Sequence, residues 1–275
     1  MFTNTDKHRL VNWFTIITLA FFLFTYFKSI PLAKYFIMLK ELLILDIETI
    51  PQYENYEDMP AVWQKLWTDK ISKPMMVEES PEVLYRKKGG IMAEFGKIVC
   101  ISTAIFTEVN EEIHLRIKSF YGTDEALVLS QFKDMTDKMY NRYPYFQFGG
   151  HNIKEFDIPY ICRRMMIHGQ ILPEYLLLND KKPWEVKMID TMNWWKFGDN
   201  KNYVSLNLLA SVLGIPTSKD DIDGSMVQDV FYKENNLERI VTYCQKDVVV
   251  TANIILRYLN QPILNNSQVS IVSKN

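Results

Sequence analysis

The stretch LLILDIETI, residues 42–50, constrains this chain more than any other. Its first four residues are apolar without a break, the pattern of a short strand buried in a parallel or mixed sheet. Asp46 and Glu48 follow two positions apart, so on a strand they point to the same face. Two carboxylates at the end of a buried strand repel one another, and their burial is costly without a partner. A sheet built on this strand has to bring the pair a counter-charge.

The surrounding pattern supplies strands and helices for such a sheet. Residues 61–71 have apolar side chains at helical spacing, and 72–90, with Pro74, Pro81 and Gly89-Gly90, read as a loop. Residues 97–106 read as a strand and 112–120 alternate as its hairpin partner. Thr123 and Asp124 can cap a helix running to about residue 143. Residues 145–152 look like a strand delivering a loop, and 154–169 a helix ending at Gly169. Residues 187–195 read as a last strand. Residues 205–216 are a short helix capped by Ser205, and 237–259 a long closing helix. The residues after 263 read as a polar, frayed tail. This order describes an α/β domain with a mixed sheet and helices packed on it. Neither G-x-G-x-x-G nor G-x-x-x-x-G-K-[ST] occurs, so no dinucleotide or P-loop motif is present.

Composition excludes some classes. The formal charge of −2 over 275 residues argues against a large electrostatic footprint for duplex nucleic acid, though not against a local groove. Three cysteines, Cys100, Cys162 and Cys244, are far apart in sequence and read as reduced thiols of a cytosolic protein. The four histidines are scattered and offer no zinc spacing.

The first forty residues differ from the rest. Lys7, His8 and Arg9 precede an apolar run at 10–27 that is marginal for one membrane span and has no A-x-A-like cleavage site after it. Met38 stands just before the first strand. Residues 1–40 are therefore expected to be a hydrophobic leader, an anchor or an upstream translation start, with 41–262 the main folded domain and 263–275 the tail. Any membrane contact would run through 10–27; otherwise the chain is expected in the cytoplasm. The leader holds five of the 31 Lys and Arg and one of the 33 Asp and Glu. The remainder has 26 basic and 32 acidic side chains, a net of about −6.

Further acids stand on other elements. Asp157 falls near a helix start, where capping alone would explain it. Asp247 lies mid-helix, followed by three valines, and Tyr243 shares its stripe four residues earlier. Singly, each has an ordinary explanation in a tertiary hydrogen bond. Together, four carboxylates from separated elements match the need of a two-metal site, since Mg²⁺ takes hard oxygen ligands and keeps several waters. Two such ions about 4 Å apart serve phosphodiester hydrolysis, and the Tyr243 hydroxyl could hold the attacking water.

With these residues in view, the sequence resembles the DEDD 3′–5′ exonucleases. LDIET is similar to their first motif, D-x-E. HNIKEFD is similar to the second, N-x-x-x-F-D, through Asn152, Phe156 and Asp157. YCQKD is similar to the third, Y-x-x-x-D, through Tyr243 and Asp247. The tyrosine, with Thr242 where another branch has histidine, places the resemblance in the DEDDy branch. The second motif is more similar to the exonuclease domain of family B DNA polymerases, and to stand-alone predicted exonucleases of that kind.

The resemblance implies a ribonuclease H-like fold, a mixed five-stranded sheet flanked by helices. It implies two divalent cations, Mg²⁺ or Mn²⁺. Asp46 would bridge both, Glu48 and Asp247 would bind the one on the nucleophile side, and Asp157 would support the other. Tyr243 would orient the water; Asn152 and Phe156 would line the path of the 3′ end, with the Thr49 backbone nearby. The implied activity is 3′–5′ hydrolysis of single-stranded nucleic acid, DNA favoured over RNA, releasing nucleoside 5′-monophosphates. Proofreading in trans or DNA repair beside a polymerase or repair partner would be its setting. The alternatives are a ribonuclease D-like exoribonuclease and a non-catalytic nucleic-acid-binding protein of the same fold. Weaker expectations attach to His151 and Lys154 as phosphate contacts or a solvated pair. Trp194 and Trp195 would be a base-stacking or core pair, and Asp190 a supporting acid or a strand-end hydrogen-bonding group.

Overall fold

Six strands, β1 (Leu42–Pro51), β2 (Gly96–Val109), β3 (Glu112–Tyr121), β4 (Gln147–Gly150), β5 (Met188–Asp190) and β6 (Val269–Ile271), form one sheet among the described residues. The computed structural model describes residues 38–72, 79–182, 185–199, 201–217 and 221–272. The chain divides into two compact units, Met1–Lys40 and Glu41–Asn275, and all six strands belong to the second. The apolar run at 10–27, with the anchor expected there, lies outside the described residues. Among the described residues, no helix is long and apolar enough to cross a membrane.

The sheet order is β5-β4-β1-β2-β3-β6. β1 pairs antiparallel with β2 and parallel with β4; β2 pairs antiparallel with β3, and β4 parallel with β5. Among these five strands only β2 is reversed, which is the mixed sheet of a ribonuclease H-like domain. The sixth strand is an addition. β6 runs parallel to β3, with Leu115, Arg116 and Ile117 opposite Val269, Ser270 and Ile271. The segment expected to fray is held there because the outer edge of β3 offers it backbone partners, a tertiary effect that local polarity does not reveal.

Eight helices of six or more residues are described: α1 (Ala61–Ile71), α2 (Pro81–Lys88), α3 (Glu125–Arg142), α4 (Asp157–Ile167), α5 (Thr191–Lys196), α6 (Leu206–Val212), α7 (Val227–Tyr232) and α8 (Leu237–Tyr258). Two depart from expectation. α2 occupies part of the expected loop. Ser80 accepts from Val83 N as its N-cap, and Pro81 is well suited to the first helical turn. α5 takes over the C-terminal half of the expected last strand. Asp190 ends β5 and accepts hydrogen bonds from Met192 N and Asn193 N, so the chain turns helical immediately after it. Trp194 and Trp195 therefore stand on a helix.

The two faces of β1 face different helices. Leu43, Leu45 and Ile47 pack with Val128, Leu129 and Phe132 of α3 and with Ile158, Ile161 and Met165 of α4. Ile50, on the face that Asp46 and Glu48 also share, packs with Val227 and Val230 of α7 and with Ile240, Val241 and Cys244 of α8. α8 is amphipathic at helical spacing and buries Tyr243, Asp247, Thr251 and Ile255 along one side. The strand pair β1–β2 carries an irregularity: Glu48 faces Cys100 while Thr49 faces Ile98. The extra residue is Val99, a bulge of the kind that bends a strand and re-aims side chains.

A buried ion pair ties the α3/α4 face together. Arg164 Nε donates to Glu125 Oε1 at 2.9 Å, and the same oxygen accepts from Ile98 N on β2 at 2.7 Å. Arg164 Nη1 reaches the Ala93 carbonyl at 2.8 Å. Both side chains are about as buried as a charged group becomes, at 3% and 5% exposed. Removing one partner of such a pair leaves an uncompensated charge. Glu125→Ala is expected to lower unfolding stability by about 3–5 kcal/mol, read from urea denaturation followed by tryptophan fluorescence.

Candidate active site

β1 delivers Asp46 and Glu48 to the α8 side of the sheet because alternate strand residues share a face. α8 brings Tyr243 and Asp247, one turn apart, to the same place. Asp157 comes from the first turn of α4. β4 pairs with β1 only as far as Ile44 opposite Gly149. Beyond that point β1 has lost its parallel partner, and the Ile47 N–H is satisfied instead by Asp157 Oδ1 at 3.2 Å. The end of a strand pairing thus fixes the position of an acid.

Asp46, Glu48 and Cys244 offer ligand atoms that all lie within 4.8 Å of one another. Glu48, Asp157 and Asp247 are buried, and Asp46 is half-buried. Burial, then the charges of Asp247 and Asp157, hold the Asp46 carboxyl well above the usual carboxylate range. Burial, then Asp46 and Asp247, do the same to Glu48. Asp157 is pushed up to about 7 by burial, against the lowering effect of its backbone hydrogen bonds, including that from Ile47. The five expected residues of the acid site therefore stand near one another, with Asp46 and Glu48 feeling the charges of Asp157 and Asp247.

Tyr243 remains a hydroxyl. Burial and the charges of Asp247, Glu48 and Asp46 raise it above its ordinary value, and its side chain is hydrogen-bonded to Asp247. Cys244 was not singled out by sequence. Its Sγ donates to the Asp46 carbonyl oxygen and to Asp46 Oδ2, each at 3.4 Å. That contact to the carboxylate lowers the Asp46 pKa, against burial and the neighbouring acids. Cys100 on β2 is hydrogen-bonded to Cys244. The two thiols are 144 positions apart in sequence, so no spacing pattern reports them.

The expected substrate residues separate. Thr49 and Phe156 line a cleft that also includes Glu48, and Phe156 lies against Tyr160 with ring centroids 5.5 Å apart. Asn152 sits at the tight turn after β4 with φ 61°, a left-handed conformation that asparagine tolerates. Its Nδ2 donates to the Tyr203 hydroxyl at 2.8 Å. Asp190 is a hydrogen-bonding group at the end of its strand: besides capping α5, it accepts from Asn152 N and Lys154 N at 3.1 and 3.2 Å. This holds the turn that leads into Asp157. His151 is not a solvated or phosphate-facing residue. Its two ring nitrogens are engaged by Thr191 Oγ1 and the Val204 carbonyl, each at 2.9 Å. Trp194 is partly exposed against Tyr258, while Trp195 packs beside Met192 and Leu209, so the pair splits between surface and core.

Comparison with known proteins can be set beside this geometry. Residues 91–267 match the family described as predicted 3′–5′ exonuclease related to the exonuclease domain of PolB. The chain belongs to this family. The span of the PolB-like exonuclease match contains Asn152, Phe156, Asp157, Tyr243 and Asp247 and begins after β1, so Asp46 and Glu48 precede it. The family B DNA polymerase of the hyperthermophilic archaeon Pyrobaculum calidifontis is similar in structure, with a TM-score of 0.48 and 14% identity. The similarity covers 80% of this chain and 24% of that polymerase. No curated protein matches the sequence significantly.

The donor set fits divalent cations. It is mainly hard carboxylate oxygen, several negative charges compete in little solvent, and cations would relieve that competition. A pH dependence follows. For Asp157 the folded pKa, about 7, lies above the value of 3.8 in the unfolded chain, so the native state holds the extra proton between them. Stability without metal is therefore expected to fall as pH rises through that window and to level off above it, by several kcal/mol at most. Asp46 and Glu48 act in the same direction. Thermal melts in EDTA from pH 5 to 8 should show the decline, and Asp157→Asn should make it shallower, leaving the part due to Asp46 and Glu48.

Proposed function

We propose that this PolB-like exonuclease domain is an active, metal-dependent nuclease that shortens single-stranded nucleic acid from the 3′ end and releases nucleoside 5′-monophosphates. The observation that carries the reading is the convergence of Asp46, Glu48, Asp157 and Asp247, from three elements, into one buried cluster beside the Tyr243 hydroxyl. Crowded acids with raised pKa values mark a functional site, and no acid of the expected set is missing, whereas a fold that only gripped nucleic acid predicts a missing acid.

Asp46, Glu48, Asp157 and Asp247 would hold two Mg²⁺ or Mn²⁺ ions, which supply Lewis acidity to the attacking water and the leaving oxygen. The protein's own groups do the positioning. Asp157 is oriented by the Ile47 amide, so its carboxylate keeps one aspect fixed. Tyr243, a hydroxyl at all working pH, can hydrogen-bond a water at the cluster and aim it at the phosphorus. Thr49 and Phe156 line the route of the 3′ terminus, with the Phe156 ring fixed against Tyr160. The Asn152 side chain, tied to Tyr203, would border the strand on the Asp157 side.

DNA is the favoured substrate, by analogy with the family's description. A role in trans beside a polymerase or in repair belongs to the same reading. So does a cytoplasmic catalytic unit over 41–262, free or held to a membrane through 10–27.

The full chain with a 5′-labelled single strand and Mg²⁺ should give a ladder shortening from the 3′ end. EDTA should abolish it. Asp46→Ala and Asp247→Asn should each cost about 100-fold or more, because each removes several kcal/mol of transition-state stabilisation. Tyr243→Phe should cost about 100-fold with the fold intact. Persistent cleavage in either acid variant would overturn the site, and parallel DNA and RNA strands at equal salt would rank the two substrates.

A further inference from the structure

A cleft of about 490 Å³ opens where β1 leaves the sheet, with Glu48, Thr49 and Phe156 at its inner end. Arg86 and Lys87 of α2 line one wall, and Gln228 and Asp229 of α7 the other. This is room for one or two small organic groups and is continuous with the acid cluster. Both walls are fastened to the chain that follows β1. Tyr85 of α2 is buried, and its hydroxyl accepts from Tyr53 N at 3.1 Å. Tyr232 of α7 donates to the Pro51 carbonyl at 2.8 Å, and Gln228 Nε2 to the Glu54 carbonyl at 3.1 Å. The walls are therefore set by backbone anchors on their own sides.

Arg86 and Asp229 join the walls across the cleft. Arg86 Nη2 lies 2.8 Å from Asp229 Oδ1 and 2.7 Å from Oδ2. The pair is open to water, with side chains 52% and 39% exposed. Exposed pairs of this kind are held by only about two- to fivefold in equilibrium terms. Asp229 has a second cation as well, Lys233, at 3.2 Å. Loss of Arg86 would thus not leave its carboxylate bare. A guanidinium freed at this place would line the same cleft as Glu48, and its planar fork matches the two unesterified oxygens of a phosphodiester.

We propose that Arg86 is a phosphodiester-binding residue held in reserve by Asp229. A single strand entering the cleft between α2 and α7 displaces Asp229 from the guanidinium, and Lys233 remains as the counter-ion of that carboxylate. The proposal deepens the exonuclease reading, on which it rests for the class of ligand, by assigning a contact to the strand's backbone away from the acids. It also reconciles an acidic body with a polyanionic substrate. The cleft keeps its positive charge neutralised until a phosphate competes for it.

The test is anisotropy of a fluorescent single-stranded oligonucleotide titrated with the full chain in EDTA at low salt, so that binding is read apart from cleavage. Arg86→Ala is expected to weaken binding about 5- to 10-fold and to reduce the salt slope by about 0.7. Arg86→Lys, which keeps the charge and loses the fork, should fall between. Asp229→Asn is expected to tighten binding about two- to fivefold, and the double variant to bind like Arg86→Ala. If Asp229→Asn weakens binding as Arg86→Ala does, the pair is only a clasp between the walls and the proposal fails. It fails also if either single variant binds like the wild type, or if the wild type does not bind the oligonucleotide. Absence of cleavage in Mg²⁺ with the opposed binding shifts intact would sink the exonuclease reading and leave Arg86 assigned. Cleavage without those shifts would sink the Arg86 assignment alone.

Discussion

Like charges stay together in a buried place only where other forces hold their carriers. In this chain the carriers are β1, α4 and α8, and each is committed by packing that has nothing to do with the acids. Leu42, Leu43, Ile44 and Leu45 are essentially inaccessible, and each such side chain contributes about 1.5–3 kcal/mol by burial. Ile240, Val248, Ile254 and Ile255 seat α8 in the same way. The repulsion among Asp46, Glu48 and Asp247 is thus carried by apolar surface on both faces of the sheet. The site is the place where that surplus is spent.

Much of this was visible in the amino-acid order. The apolar run at 97–106 identified β2, alternation identified β3 as its hairpin partner, and a helical stripe identified α8 together with the shared face of Tyr243 and Asp247. The unbroken apolar run of β1 implied a buried strand of a mixed sheet, and it is one, paired on both sides by β4 and β2. What stayed hidden depends on contacts between distant residues. β6 consists of three unremarkable residues and exists because β3 has a free edge there. α5 replaces half a strand because Asp190 caps it, although two tryptophans in a row favour an extended chain. α2 and α7 carry the two ends of an ion pair separated by 143 positions, so the cleft between them leaves no local pattern. The Cys100–Cys244 contact is hidden for the same reason.

Asp190 shows how far a site extends beyond the groups that do chemistry. It acts through the backbone, receiving two backbone amides of the turn before Asp157 and two of α5. A carboxylate with four such donors is a rigid node. The turn it holds contains Asn152 in a left-handed conformation, and α4 starts five residues later. The placement of Asp157 therefore has two independent determinants, one at the strand end through Ile47 and one at the turn through Asp190.

The outer strands of the sheet carry a different consequence. β5 and β6 are three residues each, and β6 covers only positions 115–117 of the ten-residue β3. Short terminal strands are poor templates for another chain, and this is a common way of keeping a sheet from growing sideways. β3 beneath carries Leu115 and Ile117 in the core, and its backbone would be available for strand exchange if residues 269–271 were displaced. β6, the last strand among the described residues, occupies part of an edge of β3 that another chain could otherwise pair with. A fusion or tag attached close behind it would act on solubility long before it acted on catalysis.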